Sequence, residues 1–413
     1  MKSAKILVFT LFILCGLVLS GTVAWSAFEI HPYLTLEEEY NDNIDLDSSN
    51  EEEDWITTIQ PGISLEYNNR SIEAVVDYSL RYRFYKNNDE DNLDEFEDVQ
   101  QANATALFFG GRPFTLRVTE IISREALDER DDNEFSDTDR STLYHLTVLP
   151  EYDLRLTPTF SLVLGYGYDR LDYAEAAGID SEEHSGRVSL IKNLSASTDI
   201  YTRYSYTLHE SDDEEDYDRH DYTLGVNYRI GARTSATLEG GYSDVEYDSG
   251  FESDNTRWLV DLSYHLSEAL TLSAGYSQDF ELSAADGLTK NKNATLTAGY
   301  QKESMNASLG LFWDNSEYVR EDREDESVGV RFSLAKPLAR NLTANADFEY
   351  ERAWFEEVGV DEDVNRITLG TSLDYVYRRL TASLGYRYRI NESDVDSNDY
   401  TNNIFTLSGM VRF

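Results

Sequence analysis

Two histidines beside an acidic run are the first residues whose types could support catalysis. His209 and His220 flank the segment ESDDEEDYDR, in which Ser211 and Asp212 follow His209 closely. A nucleophile and its base must meet within hydrogen-bond reach. Nothing in this spacing brings the side chains together, and histidines are common at strand ends. We therefore expect no catalytic site, and a protein that is not an enzyme.

Runs of alternating oxygen-bearing residues are the second candidate for chemistry. They occur in NDNIDLD at 41–47 and in DNEFSDTD at 132–139. Neither run has the glycine and the closing glutamate that a calcium loop needs in register. We expect no cofactor and no resident metal, and we interpret the runs as solvated, like-charged loops. Weak binding of divalent cations by these loops stays open.

The balance of charge excludes one class of partner. Aspartate and glutamate total 79 residues against 35 lysines and arginines, which gives a formal net charge of -44 at pH 7. A chain this acidic repels the phosphates of nucleic acids. The chain also holds 29 tyrosines and 18 phenylalanines. Disordered chains are poor in aromatic residues, so this one is expected to fold.

The N-terminus has the features of a secretory signal peptide. Lys2 and Lys5 precede the apolar run ILVFTLFILCGLVL, and small residues follow it. The pattern predicts a leader over residues 1–26 that is cleaved after Ser26. Cleavage would remove the only cysteine, so no disulfide is expected. Residues 27–413 show no linker and are interpreted as a single domain.

Most of the remaining chain alternates apolar and polar residues with a period of two. In LTASLGYRYRI, Leu380, Tyr386 and Ile390 share one side, whereas Arg387 and Arg389 share the other. Successive side chains of a strand point to opposite faces, so such segments predict strands with one apolar and one polar face. The segments exceed the ~5–6 residues of ordinary strands and suit the ~9–11 of a strand that crosses a bilayer.

The connections between these segments also alternate. Short neutral or basic turns, such as GGRP at 110–113, are followed by long acidic ones, such as ESDDEEDYD at 210–218. This asymmetry is typical of outer-membrane barrels, with short periplasmic turns and longer extracellular loops. The sequence thus predicts an all-β fold: a transmembrane, antiparallel, up-and-down β-barrel of about 20 strands.

Two prolines bear on the strand count, for which 18 is the alternative. Pro61 and Pro150 interrupt the segments 54–67 and 141–155. Because proline cannot donate a hydrogen bond to the ladder, we expect bulges there.

The C-terminus NNIFTLSGMVRF fits the last strand of such a barrel. Leu407, Val411 and Phe413 fall on one side, which is predicted to face lipid. The terminal phenylalanine resembles the signal that the barrel-assembly machinery reads. Lipid and lipopolysaccharide of a Gram-negative outer membrane are the surroundings that this implies.

The polar face of the strands predicts the lining of a water-filled lumen. The predicted lining residues are Arg81, Arg83, Arg203, Arg229, Asp261, Asp347, Glu349, Arg387 and Arg389, together with Asp77, Glu239, Asp279, Arg331 and Asp374.

The first strands carry a resemblance to a known family. The segments YLTLEEEYNDNIDL and DWITTIQPGISLEY resemble the start of the "putative beta-barrel porin" family found beside exopolysaccharide and protein-sorting gene clusters. The matching residues are Tyr40, Asp42, Asn43, Asp54, Trp55, Ile56, Thr57, Thr58, Pro61 and Gly62. The resemblance implies an outer-membrane barrel and brings no catalytic or ligand residues with it.

The leading interpretation is a porin-like channel for passive passage of small hydrophilic solutes, with a mouth that favours cations. The first alternative is an outer-membrane component of exopolysaccharide export, and the second is a structural or adhesive surface barrel. Conductance separates a channel from a scaffold, and loss of surface polysaccharide on deletion would favour export. The solute and the oligomeric state do not follow from the sequence.

Overall fold

The computed structural model describes residues 28–127, 140–174, 178–212, 214–284, 287–357 and 360–413. The predicted leader and the acidic run at 132–139 lie outside these residues. Within the described ranges, no helix is long and apolar enough to cross a membrane. Two short 3-10 turns, Asp89–Asp91 and Asp396–Asn398, lie in connections.

Strands account for nearly all of the regular structure. The strand segments are β1 (Phe28–Asn41), β2 (Asp54–Asn68), β3 (Ile72–Leu80), β4 (Tyr82–Tyr85), β5 (Gln100–Phe108), β6 (Phe114–Ala126), β7 (Arg140–Thr157), β8 (Phe160–Tyr173), β9 (Ser181–Ser195), β10 (Thr198–Ser211), β11 (Tyr217–Ile230), β12 (Thr234–Tyr247), β13 (Glu252–His265), β14 (Leu270–Ser283), β15 (Gly287–Lys302), β16 (Met305–Tyr318), β17 (Arg323–Ala339), β18 (Leu342–Glu357), β19 (Val360–Tyr377), β20 (Leu380–Ser393) and β21 (Tyr400–Arg412).

Strands that follow one another around the barrel pair antiparallel, and β21 pairs with β1. β3 and β4 are two parts of one barrel strand, because both pair with β2 in a single register. The described segments therefore form a closed barrel of 20 strands, which confirms the predicted fold. Closure leaves no unpaired sheet edge, the condition for a sheet to stand in lipid.

The bulges predicted at the two prolines are wrong. Pro61 lies opposite Leu34, and Pro150 lies opposite Leu116, in ladders without a register shift. Each proline instead interrupts the ladder on its other side, where its missing N–H would have donated. On the β3–β4 side of Pro61 the break falls at Arg81, whose own N–H still donates to the Val99 carbonyl at 2.6 Å.

The register shifts occur at the ends of strands, next to short turns. They lie between Arg155 and Thr157, between Pro337 and Ala339, and between Thr198 and Asp199.

The outer surface is apolar and carries a row of rings. Tyr204, Tyr222 and Tyr242 are paired across three adjacent strands, and all three are exposed. Farther down the same face of β11, Leu224 is 65 % exposed. Such a surface suits contact with lipid, and exposed rows of tyrosine are typical of the headgroup level of membrane barrels.

Several strands rise above this apolar band. β11 begins at Tyr217, although the alternation predicts a start near 220, and β17 begins at Arg323 instead of near 327. The outward residue Asp218 of the β11 extension is polar, and so is Glu246, which is paired with it on β12. Much of what the sequence suggests to be loop is therefore strand that projects into water.

Candidate functional site: the inner wall and its seam

The predicted lining residues all point away from the apolar surface. Each lies beside an outward apolar residue in its strand: Arg203 precedes Tyr204, and Glu349 follows Phe348. Successive side chains alternate between faces, so these charges lie on the inner wall. The same parity holds for Arg81, Arg83, Arg229, Asp261, Asp347, Arg387 and Arg389.

Contacts that reach over an intervening strand show that this face is concave. The Tyr33 hydroxyl on β1 donates to the Asp77 carboxylate on β3 at 2.8 Å, across β2. The Tyr201 hydroxyl on β10 donates in the same way to Glu239 on β12.

Most inner-wall arginines are paired with carboxylates. Arg331 lies 2.9 Å from Glu349. Two pairs are looser, at 3.8 Å: Arg81 with Glu37, and Arg203 with Glu239. Arg83 lies 3.3 Å from Glu39, and both side chains are nearly buried. The wall thus carries charges of both signs, largely compensated locally.

Four of the predicted carboxylates, Asp77, Asp261, Asp347 and Asp374, have no ion pair within the part of the chain that the structure describes. Asp77 accepts a hydrogen bond from Tyr33, and Asp374 accepts from Asn345 and Ser383, whereas Asp261 and Asp347 have no such partner there. Asp261 and Asp347 lie on β13 and β18. The Asp347 carboxylate lies over Gly370, where a Cβ would collide with it. These two groups add uncompensated negative charge to the lower part of the wall, nearer the short turns.

The remaining predicted arginines lie at different heights. Arg229 donates to the Ala196 carbonyl at 3.2 Å, near the short turns. Arg389 is buried, with its guanidinium carbon 5.8 Å from the centre of the Tyr400 ring. It supports the wall rather than lining open space. Arg387 lies on the same inner face.

The candidate catalytic histidines are not brought together. His209 points inward and lies 3.3 Å from Glu183, whereas His220 points outward and lies 2.9 Å from the Tyr204 hydroxyl. The Ser211 hydroxyl donates to the Asp180 carbonyl. The opposite orientation of the rings removes the pair as a nucleophile–base arrangement.

A third histidine takes part in a cluster that the sequence does not predict. His145, Thr147 and Asp169 contact one another on the inner wall. The same imidazole nitrogen, Nε2, faces both the threonine and the aspartate. A catalytic relay needs the two partners on opposite ring nitrogens, so this cluster is structural.

The first three residues of the acidic run at 41–47 form a seam with the last strand. The Asn402 amide donates to Asn41 Oδ1 at 2.5 Å and to the Asn43 carbonyl at 2.8 Å. Both Asp42 carboxylate oxygens accept from Asn403, at 2.6 and 2.7 Å. Within the described ranges, no three His, Cys, Asp or Glu side chains are grouped to hold a metal.

The second half of the sequence motif anchors a loop. Asp54 is buried, and its carboxylate accepts the backbone N–H groups of Trp55, Asn87 and Asn88 at 2.7–3.0 Å. It thereby fixes the start of the 86–99 connection to the top of β2.

A cavity of about 620 Å³ lies against the inner wall formed by β1 to β7. Leu93 of the 86–99 connection also lines this cavity, and its backbone forms a bridge with Arg83. Amide, hydroxyl and guanidinium groups line most of it. The sequence does not predict this cavity, because its lining comes from strands up to about 100 residues apart.

Similarity to solved structures supports the fold. The FrpB iron transporter from Neisseria meningitidis (F3-3 variant) shares 10 % identity, with a TM-score of 0.55, over 94 % of this chain and 82 % of that one. A point mutant of the ferric enterobactin receptor PfeA from Pseudomonas aeruginosa shares 10 %, with a TM-score of 0.52, over 93 % and 80 %. The siderophore receptor PirA from Acinetobacter baumannii shares 9 %, with a TM-score of 0.51, over 93 % and 80 %.

Sequence comparison gives a match to a family model over part of the chain. A comparison with curated proteins gives no match. Residues 326–413, which span most of β17 and all of β18 to β21, match the family model described as "Putative beta-barrel porin 2". The match lies at the opposite end of the chain from the motif in the first strands. The expected relationship to a beta-barrel porin family is thus confirmed over residues 326–413, and the chain has the closed antiparallel fold of outer-membrane barrels.

Proposed function

We propose that the protein is an outer-membrane channel for passive passage of small hydrophilic solutes. The supporting observation is a closed barrel of 20 strands with an apolar outer surface and a polar, charged inner wall. Barrels of 16–18 strands already leave an aqueous channel. No chemistry is required of the wall, which is consistent with a function that is not enzymatic.

The charges at the loop end support a mouth that favours cations. Burial raises the pKa of Asp45, and the neighbouring carboxylates Asp91, Glu52 and Asp47 raise it further. The part of this rise that comes from the three neighbouring carboxylates reflects a local excess of negative charge. The exposed run 51–53 adds three glutamates nearby. This potential would concentrate cations at the entrance.

The outer surface supports a place in the outer membrane, in contact with lipid and lipopolysaccharide. Leu407 and Phe413 are 60 % and 61 % exposed, and Val411 is exposed on the same face of β21. The Phe413 N–H donates to the Pro32 carbonyl at 2.8 Å, so the terminus lies at the seam. Recognition of these three side chains by the barrel-assembly machinery is part of the proposal.

Export of a surface polysaccharide is the second candidate function. The observation that favours export is the cavity on the inner wall, which is lined by many amide, hydroxyl and guanidinium groups. Such groups bind the hydroxyl groups of a sugar chain, whereas an unselective pore has no use for them. Deletion of the gene would then abolish surface polysaccharide, whereas loss of a diffusion channel would leave it in place.

Swelling of proteoliposomes tests the leading function. Liposomes that contain the protein are expected to swell in isotonic arabinose and to swell more slowly in larger sugars. Liposomes that contain heat-denatured protein are the control. Swelling no faster than in the control would refute the channel.

A further inference from the structure

The cavity on the inner wall has the composition of a binding site. Its lining residues are Tyr33, Glu39, Gln60, Asp77, Ser79, Arg81, Arg83, Leu93, Asp98, Gln101, Ala102, Asn103, Ile121, Ile122, Ser123, Arg124 and Arg140. Four arginines face three carboxylates in this set, in a chain whose formal net charge is -44. Glu37, the partner of Arg81, lies beside this set, so the charges of the wall are balanced here, and the clustered guanidinium groups are what would bind an anionic group.

Of the four arginines that line the cavity, Arg81 is the one best placed to bind a ligand. Its side chain is about one-third exposed, and among the described residues its only partner is Glu37, at 3.8 Å. Arg83 lies closer to its carboxylate, Glu39 at 3.3 Å, and is nearly buried. A guanidinium presents two parallel N–H donors to a carboxylate, the geometry of the strongest charge-assisted pairs.

A row of amides lies beside Arg81 on the neighbouring strands. The Gln60 amide donates to Ser79 Oγ at 2.9 Å and to Gln101 Oε1 at 3.1 Å, which fixes the orientation of both glutamines. The Gln101 nitrogen and the exposed Asn103 side chain make no hydrogen bond among the described residues. These groups are positioned to bind hydroxyl groups.

The Asp77 carboxylate adds a hydrogen-bond acceptor to the polar groups of the cavity wall. The Tyr33 hydroxyl donates to one oxygen of Asp77 at 2.8 Å, and the other oxygen remains as an acceptor on the cavity wall. Amides that donate and accept, together with a carboxylate acceptor, match a ligand with several hydroxyl groups. Inorganic phosphate would leave the amides and Asp77 unused.

We propose that this cavity binds sugar acids, with the carboxylate on Arg81 and the hydroxyl groups on Gln101, Asn103 and Asp77. The site lies on the wall of the lumen, so the inference rests on the proposed channel and names its preferred solute class. An oriented site on the path would retain acidic sugars and oligosaccharides during passage, while neutral sugars pass without binding.

Calorimetry on the purified, detergent-solubilised protein tests this site with digalacturonate as the probe. Maltose supplies hydroxyl groups without a carboxylate, and inorganic phosphate supplies charge without a sugar. We expect heat of binding with digalacturonate alone. Arg81→Gln is expected to weaken binding at least tenfold, and Asn103→Ala severalfold. Arg187→Gln is the matched control, because Arg187 is an inner-wall arginine outside the cavity, 2.6 Å from Glu151.

The outcomes separate the site from the channel. Equal affinity in the wild type and Arg81→Gln, or equal binding of maltose, would overturn the inference; so would the absence of any digalacturonate heat. Swelling in arabinose is measured on the same preparations. Swelling without binding would refute the site and leave the channel, whereas binding without swelling would refute the channel and leave the site. Heat-modifiable migration on gels confirms that each variant is folded.

Discussion

Asn402 fastens the last strand of the barrel to the first. It is fully buried, and its amide donates to Asn41 and to the Asn43 carbonyl. These partners lie about 360 residues away in the chain. Alternation within a strand predicts which face a residue occupies, but it does not predict a contact made by closure.

Asn402→Ala is expected to destabilise the barrel by about 1–3 kcal/mol, because two buried hydrogen bonds lose their donor. Unfolding in urea, followed by loss of heat-modifiable migration, measures the change. Asn306→Ala is the control, since Asn306 is an exposed asparagine on β16. Equal stability of Asn402→Ala and the wild type would contradict a stabilising seam.

Asp347 carries uncompensated charge on the inner wall. In water, a unit charge changes the energy of an ion about 10 Å away by about 0.4 kcal/mol, which changes the local concentration of that ion by roughly a factor of two. The same charge repels an anion by as much as it attracts a cation, so Asp347→Asn is expected to lower the cation-to-anion permeability ratio about fourfold. Reversal potentials in a salt gradient measure this ratio. Glu246→Gln removes the same charge from the outer face and should leave it unchanged.

The strands are the elements that the sequence predicts best. Every predicted strand is present, because each must satisfy lipid on one side and water on the other, which imposes strict alternation. The ends are predicted less well. Arg323–Glu326 is as acidic as a loop but continues β17, because strands above the membrane are no longer selected for an apolar face. The prediction of bulges at Pro61 and Pro150 is wrong because a missing N–H donor removes one hydrogen bond from the ladder and leaves the register of the paired strands unchanged.

Asp54 links two elements, the top of β2 and the 86–99 connection. Asp54→Ala removes the acceptor of the Asn87 and Asn88 N–H groups, so this connection should loosen. We expect trypsin to cleave after the exposed Lys86 severalfold faster than in the wild type. Glu51→Ala, at an exposed position of the preceding loop, should not change the rate. An unchanged rate in Asp54→Ala would show that other contacts hold the connection.

At the scale of the whole molecule, hydrophobic and polar surfaces are inverted relative to a soluble protein. Large apolar side chains such as Leu224 and Leu407 are exposed, whereas Asn43, Ser243 and Asn402 are buried. The sequence predicts this inversion from period-two alternation and net charge. The cavity between β1 and β7 and the paired arrangement of wall charges depend on curvature and register, which alternation does not specify.

A water-filled lumen is the central claim, and single-channel recording in planar bilayers tests it most directly. The purified protein is expected to insert in discrete steps of uniform, ohmic conductance, with reversal potentials in a potassium chloride gradient that favour potassium over chloride. A folded, inserted barrel that gives no steps above the bare bilayer would contradict the account.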